Sequence, residues 1–190
     1  FSPIAGNEGI IEAGMYISNV YVTLSTANKY IDWSEKEVEF EFSKILKDKN
    51  LTFRGEYTGS IGSTSVLFGS SFMKEGNFQL MGLFGGTSFL GLTWIGEVDI
   101  AENWIDDNTS LASFSEFSYP LKQGLHFVAR YDLFDEDIKI KNNAISRWTV
   151  GADVFPLSFF EIKLQGRFTS LSGDGEKPEP EYLIQFHTWF

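Results

Sequence analysis

The sequence predicts an all-β protein in which about eleven antiparallel strands follow one another as a meander. Apolar and polar residues alternate with a period of two along most of the chain, and turn-forming residues separate the alternating runs. No segment of ten or more residues has the 3.6-residue period of an amphipathic helix, and only 30–36 could form a short helical turn. A length of 190 residues fits one domain, so we expect a single domain over 1–190.

Each strand is predicted from the side chains that the alternation places on one face. The first strand begins near Gly14, and in the next run Val38, Phe40 and Phe42 alternate with glutamates. The later runs follow the same rule at 51–58, 92–100, 125–133, 147–154, 160–168 and 182–190. The run at 160–168 is the clearest, because charged or amide side chains occupy every second position from Glu161 to Arg167.

Connections between the runs differ in length, and the difference predicts a topology. Short turns are expected at 120–124 and 156–158, with another very tight turn near 89–91. Longer polar stretches cover 103–110, 136–144 and 170–181. In a meander these two groups fall at opposite ends of the sheet, so we expect one end with short turns and one end with loops.

Composition and charge exclude several classes of function. The chain has no Cys, which excludes disulfides, thiol catalysis, Fe–S clusters, Cys-ligated zinc and covalently attached haem. Two His leave little room for a His-rich metal site, so we expect no cofactor and no metal. The net charge of −11 argues against a nucleic-acid partner, which requires a basic face.

The side chains on the two faces favour a transmembrane β-barrel of about 10–12 strands over a soluble β-sandwich. Phe, Tyr, Trp and Gly dominate the apolar face, whereas the other face carries charges of both signs. Strands of about ten residues with aromatic residues near their ends are typical of membrane barrels, where aromatic girdles lie at the two interfaces. A soluble β-core filled with aromatic residues is the alternative.

The C-terminal segment resembles the terminal β-signal of bacterial outer-membrane barrels. Tyr182, Ile184, Phe186 and Phe190 recur at even positions, and Thr188 is the single exception. The resemblance implies recognition by the barrel-assembly machinery, contact with outer-membrane lipids and a location in the bacterial outer membrane. It also implies that Phe190 lies on the periplasmic side, which would place the short turns there and the loops outside.

Four later segments, at 94–99, 129–135, 147–156 and 161–167, look like the closing strands of porin-type barrels and are similar to the phosphate-selective porin group. The similarity covers about residues 60–190. It implies an even number of strands, whereas we count about eleven. Three explanations of the odd count are open: the run 14–27 hides a second strand, one of the runs is not a strand, or N-terminal strands are missing. We favour a missing or unrecognised N-terminal piece. The chain begins at Phe1 without a leader, which we interpret as a mature protein or a fragment.

The charged face predicts the residues that line the lumen of such a barrel. They are Glu97, Asp99, Arg130, Asp132, Arg147, Asp153, Glu161, Lys163 and Arg167. Opposed acids and bases across a lumen set a transverse field that tunes permeation. Salt-bridged ladders that fill a narrow barrel are the other interpretation.

We therefore expect a porin-like barrel for passive diffusion of small solutes or ions, not an enzyme. The alternative function is a non-conducting barrel that acts as a scaffold or sheath for other envelope subunits, and a homo-oligomer is a further expected partner arrangement. A catalytic arrangement would pair His126 with Asp132 or Glu97 and with a nucleophile among Ser113, Ser115 and Ser118. His126 follows a short turn, which is the wrong rim for chemistry on surface lipids.

Overall fold

The described residues of the protein form an antiparallel meander of eleven strands in one sheet. The computed structural model describes residues 9–28, 50–104, 107–172 and 179–189. The strands are β1 (Gly9–Ile17), β2 (Val20–Asn28), β3 (Asn50–Ile61), β4 (Thr64–Glu75), β5 (Phe78–Phe89), β6 (Leu92–Glu102), β7 (Thr109–Lys122), β8 (Leu125–Asp135), β9 (Ile145–Leu157), β10 (Phe160–Leu171) and β11 (Glu179–Thr188). Each strand pairs antiparallel with the next one along the chain. The prediction of an all-β meander is confirmed.

Most predicted strands fall where the alternation placed them, and the N-terminal region holds one strand more. Residues 9–28 form a hairpin of β1 and β2, so the run near Gly14 contains two strands. The turn at Ser18 and Asn19 that separates them was not recognised from the sequence. The predicted strand at 37–43 and the short helical turn at 30–36 lie outside the described residues.

The two ends of the sheet differ in their connections, as predicted. At one end, which we call the turn end, five hairpins close through two residues each, at 18–19, 62–63, 90–91, 123–124 and 158–159. At the other, the loop end, longer connections follow β6, β8 and β10 at 103–108, 136–144 and 172–178, and a two-residue turn at 76–77 is an exception to the prediction. The residues between β2 and β3 lie outside the described part of the chain. The loops at 103–108 and 136–144 are joined to each other, since Asn108 Nδ2 and Ser110 Oγ both donate to the Glu136 carbonyl at 2.7 Å.

The sheet is not closed into a barrel within the described residues. There β1 pairs only with β2, and β11 pairs only with β10. Because the number of strands in this meander is odd, β1 and β11 both run from the loop end to the turn end. They are therefore parallel to each other and could not form an antiparallel pair. In this respect the sheet differs from the even-stranded barrel that the porin resemblance implies.

The register gives the sheet two faces of opposite character. We call the face that carries Glu97 and Arg130 the polar face and the other one the apolar face. In the described residues, charged side chains on the apolar face are confined to the last two positions of a strand: Lys74, Glu102, Lys122 and Asp135. All charged side chains deeper within the described strands lie on the polar face.

Large apolar side chains are exposed and do not form a core. Ala101 is the one described hydrophobic residue that is buried. On the apolar face, Leu83 is 68% exposed and Ile184 is 64% exposed. The structure is thus a single layer whose strands make extensive contacts only with their neighbours in the sheet. No described residues form a helix that is long and apolar enough to cross a membrane.

Aromatic residues of the apolar face concentrate near both ends of the strands. Phe89, Trp94, Tyr119, Phe127 and Phe186 lie within three residues of the turn end of their strands. Phe53, Phe72, Trp148, Phe168 and Tyr182 each lie three residues from the loop end. Tyr57, Phe68, Phe117 and Tyr131 also lie on the apolar face, four or more residues from either strand end. Aromatic residues therefore lie at both borders of the apolar face without being confined to them.

The turn between β5 and β6 holds a leucine in a left-handed conformation, and its replacement should stabilise the protein. Leu90 has φ of 50° and Gly91 has φ of 84°, the signs that a type I′ turn requires. Asn-Gly is the preferred pair in this turn, so Leu90→Asn should raise the free energy of unfolding by about 1 kcal/mol. Denaturant titration of the folded protein measures it, with Leu92→Asn, in the strand beside the turn, as the control. A loss of stability in Leu90→Asn would contradict the interpretation.

Candidate functional site

The nine charged residues predicted to line a lumen all lie on the polar face of the sheet. Cross-strand pairs connect them: Asp132 faces Arg147, and Lys163 faces Asp153. The complete set is Glu97 and Asp99 on β6, Arg130 and Asp132 on β8, Arg147 and Asp153 on β9, and Glu161, Lys163 and Arg167 on β10. They share one face of the sheet, and their role as lumen residues stays a prediction.

Arg130 is the centre of the largest group of interactions on this face. Its Nε donates to Asp132 Oδ1 at 2.8 Å, and its Nη1 donates to Glu116 Oε2 at 3.5 Å. The guanidinium carbon lies 4.3 Å from the ring centre of Phe114. Arg147 Nε reaches Asp132 Oδ2 over 3.5 Å. Arg130 is thus fixed by two carboxylates and one aromatic ring.

A second group lies on β10 and β11 toward the turn end. Glu161 is 8% exposed and lies at a β-bulge where β10 meets β9. Its Oε2 accepts a hydrogen bond from His187 Nδ1 at 2.8 Å, and Lys163 Nζ lies 3.6 Å from its Oε1. On the same strand pair, Arg167 Nη1 lies 3.7 Å from Glu181 Oε2. These contacts connect the edge strand β11 to β10 through side chains as well as through the backbone.

Arg54 repeats the arrangement of Arg130 on the N-terminal half of the sheet. The guanidinium carbon of Arg54 lies 4.0 Å from the ring centre of Phe84, and its Nε donates to Glu56 Oε2 at 3.1 Å. Arg54 and Phe84 are on β3 and β5, with Gly69 of β4 between them. A side chain at Gly69 would collide with the Phe84 ring, so this glycine lets the ring extend toward Arg54.

The polar face is acidic overall. Its described strands carry eleven acids, namely Glu12, Glu56, Glu75, Glu97, Asp99, Glu116, Asp132, Asp153, Glu161, Glu179 and Glu181. They carry five bases, namely Arg54, Arg130, Arg147, Lys163 and Arg167. Four of these bases belong to β8, β9 and β10. The excess of carboxylates gives this face a negative potential that attracts cations.

Sequence reasoning missed the aromatic residues that lie under the arginines. The alternation was interpreted as aromatic residues on one face and charges on the other, yet Phe84 and Phe114 lie on the polar face. A signal existed, because Phe114 is two positions from Glu116 and thus in phase with it. For Phe84 there was no such signal, because β5 contains no charged residue that could assign its side chains to a face.

The catalytic arrangement considered from the sequence is not assembled. Ser113 and Ser115 lie on the apolar face, opposite to His126, whereas Ser118 lies on the polar face with His126 and faces Val128. The carboxylate that should orient the histidine, Asp132 or Glu97, is what the arrangement lacks. Asp132 lies on the same strand as His126 but six residues along it, a distance of about 20 Å. The described residues contain no group of three or more His, Asp or Glu side chains that could hold a metal ion.

The predicted assembly signal forms an exposed ridge on the edge strand β11. Tyr182, Ile184 and Phe186 share the apolar face, and Tyr182 is 78% exposed. Phe160 packs beside Phe186, with ring centres 6.1 Å apart. Phe190 lies outside the described residues. Recognition by the assembly machinery stays a prediction.

Removal of the Arg130 side-chain charge should destabilise the folded protein more than removal of the Arg54 charge. Arg130→Met loses two ion pairs and the contact with Phe114, for an expected cost of about 1–2 kcal/mol in the free energy of unfolding. Arg54→Met loses one ion pair and one ring contact at a more exposed position, so about half that cost is expected. Denaturant titration compares the two variants, and the reverse order would contradict the structure of the cluster.

No protein-family model matches this sequence, and a search of the curated proteins found no significant match.

Proposed function

We propose that this chain forms the wall of a porin-like pore in the bacterial outer membrane, with the apolar face toward lipid and the polar face toward water. The observation that carries the proposal is the separation of charge between the faces. Along the described strands, charges on the apolar face occur only at strand ends. Lipid explains this pattern, because a charge at the middle of the bilayer is costly and one at the interface is not.

The dimensions of the strands support the proposal. The described strands have 9 to 14 residues, and a tilted strand needs about 9–11 to cross the hydrocarbon core. The aromatic residues near both strand ends match the girdles of outer-membrane barrels. An exposed apolar face without a second layer above it is unfavourable in water, whereas acyl chains would cover it.

A pore also requires that the sheet closes. A strand that runs from the turn end to the loop end would pair antiparallel with both β1 and β11. Such a strand, or any odd number of strands, would complete an even-stranded barrel of the kind found in bacterial outer membranes. The short turns would then face the periplasm and the loops the exterior.

Single-channel recording tests the proposed function. We expect the full chain, folded in detergent and added to a planar bilayer in KCl, to give discrete current steps. Heat-denatured protein is the control and should give none. Silence from protein that shows the heat-modifiable electrophoretic mobility of a folded barrel would contradict the pore.

A structural role in an envelope complex is the second candidate, and the edges of the sheet favour it. Strands β1 and β11 each present one row of backbone N–H and C=O groups that is unpaired in the described residues. Such edges accept strands from other chains. Photo-crosslinkers placed at alternate positions of β11 in cells should then capture a specific subunit, and the same labels on β6 should not.

A further inference from the structure

Both histidines of the chain lie on the polar face, at the turn end of the sheet. His126 is the second residue of β8, and His187 is the last but one of β11. Both are exposed, so protons in the surrounding water reach their rings. Histidine is the side chain that ordinarily changes its charge between about pH 5 and 8. The charge at this end of the polar face therefore depends on pH.

Each histidine lies opposite a carboxylate of the neighbouring strand. His126 faces Asp153 of β9, and His187 faces Glu161 of β10. The second pair is in contact, because His187 Nδ1 lies 2.8 Å from Glu161 Oε2. Side chains that are directly opposite in an antiparallel pair lie close enough to interact. A protonated histidine at either position therefore meets a negative charge.

The fixed charges around His126 come from three strands. Asp153 faces it from β9, while β7 places Pro120 opposite it and carries Lys122 at the strand end, on the apolar face. On β8, the next charge of the polar face is Arg130, four residues away, which two carboxylates already bind. Among the described residues, Asp153 is thus the one fixed charge of the polar face beside His126. A proton on the ring offsets that charge.

The fixed charges around His187 are those of Glu161 and Lys163 on β10. Glu161 is 8% exposed, and its Oε1 lies 3.6 Å from Lys163 Nζ. On β11, Gln185 is the neighbour of His187 on the same face, and Glu181 lies six residues away toward the loop end. The outer edge of β11 pairs with no other described strand. Because the charges of Glu161 and Lys163 balance each other, a proton on His187 leaves this group with a positive charge.

The border of the polar face at the turn end changes the sign of its charge when both histidines are protonated. We call this border the rim and define it as the polar-face positions within four residues of the turn end of each described strand. Its charged residues and histidines all belong to β8 to β11 and are His126, Asp153, Glu161, Lys163 and His187. The five two-residue turns at this end contain no charged residue. Two acids and one base give the rim a net charge of −1 with neutral histidines, and two further positive charges make it +1.

We propose that the rim makes the ion selectivity of the pore depend on pH, with His126 and His187 as the sensing groups. The inference rests on the proposed pore function and adds its regulation. At the higher pH, a negative rim continues the negative potential of the polar face and favours cations. At the lower pH, a positive rim opposes that potential at one mouth of the pore, so the preference for cations falls. Because the short turns are expected on the periplasmic side, the pH of the periplasm sets the effect.

Reversal potentials of the full chain in a planar bilayer test the proposal, in a KCl gradient at about pH 8 and about pH 5.5. We expect the ratio of K⁺ to Cl⁻ permeability to fall about twofold or more at the lower pH. The double variant His126→Gln with His187→Gln keeps the rim negative at both values, so its ratio should change much less. Carboxylates elsewhere take up protons equally in both proteins, and the difference between the proteins therefore reports the histidines. Equal falls in the two proteins would overturn the proposal.

A permanently charged rim is the matched comparison. The double variant His126→Lys with His187→Lys carries two positive charges at both pH values. At the higher pH, it should already show the low permeability ratio that the unchanged protein reaches only at the lower pH. A ratio equal to that of the unchanged protein at the higher pH would contradict control by the rim. Heat-modifiable electrophoretic mobility shows that each variant is folded.

A measurement without current separates this inference from the pore itself. Nuclear magnetic resonance of the full chain in detergent micelles, with isotope-labelled histidine, follows the charge of both rings over the same pH range. We expect both rings to become protonated, and rings that keep their charge would overturn the regulation whatever the pore does. Current steps with a selectivity that does not depend on pH would overturn the regulation and leave the pore intact. Silence at both pH values with rings that do titrate would contradict the pore, and the regulation with it. The resonance measurement uses the unchanged protein, so it decides even where a variant fails to fold.

Discussion

Ser70→Arg is expected to destabilise the protein in a lipid bilayer by about 2–4 kcal/mol, whereas Ser71→Arg is expected to have little effect. The two serines are adjacent near the middle of β4, and both are half-buried. The register places Ser70 on the apolar face beside Leu83, and Ser71 on the polar face between Arg54 and Gly82. An arginine at position 70 would enter the hydrocarbon, whereas one at 71 would lie close to the carboxylate of Asp99.

The comparison requires a measurement in a real bilayer. Denaturant titration of each variant in phospholipid vesicles gives the free energy of unfolding, with the unchanged protein as reference. Because the starting residue, the introduced residue and the depth are the same, a difference between the variants reports the surroundings on each face, which at position 71 include Arg54 and Asp99. Equal losses of stability would show that the apolar face does not meet lipid.

The second large effect is expected in ion selectivity. In a tenfold KCl gradient, the reversal potential should have the sign of a cation-preferring pore and lie below the limit of about 59 mV for a monovalent ion. The triple variant Glu97→Gln, Asp99→Asn and Glu116→Gln removes three of the eleven acids on the polar face of the described strands. Its reversal potential should move toward zero, because the five bases remain.

A control variant separates the polar face from the rest of the surface charge. Glu102→Gln with Asp135→Asn removes two acids at strand ends on the apolar face. The reversal potential of this double variant should stay near that of the unchanged protein. A shift as large as that of the triple variant would contradict the assignment of the polar face to the lumen.

The sequence predicted the strands and the two faces well because both depend on local alternation. The charges from Glu161 to Arg167 identify one strand and its two faces without reference to any other part of the chain. The hairpin at 9–28 was harder, since Ser18 and Asn19 give a weak turn signal and Ser18 takes a positive φ without glycine.

The contacts on the polar face could not be predicted, because they depend on register between strands. Nothing local to β8 indicates that Arg130 meets Glu116 of β7 or that its guanidinium lies over Phe114. Whether the sheet can close likewise depends on the total number of strands, which no single strand reveals. Within the described residues, the turn at Ser18 and Asn19 divides one predicted strand into two, and this division decides whether the two outermost strands are antiparallel or parallel.

A spin-label scan along β10 tests most directly whether the sheet separates lipid from water. The chain has no Cys, so single cysteines can be introduced and labelled at each position from 160 to 171 without removing others. In vesicles, we predict high exposure to oxygen, which concentrates in lipid, at Ile162, Leu164, Gly166 and Phe168. High exposure to a water-soluble nickel complex is predicted at Lys163, Gln165 and Arg167. Labels on both faces that are equally accessible to the nickel complex would contradict a membrane-spanning sheet.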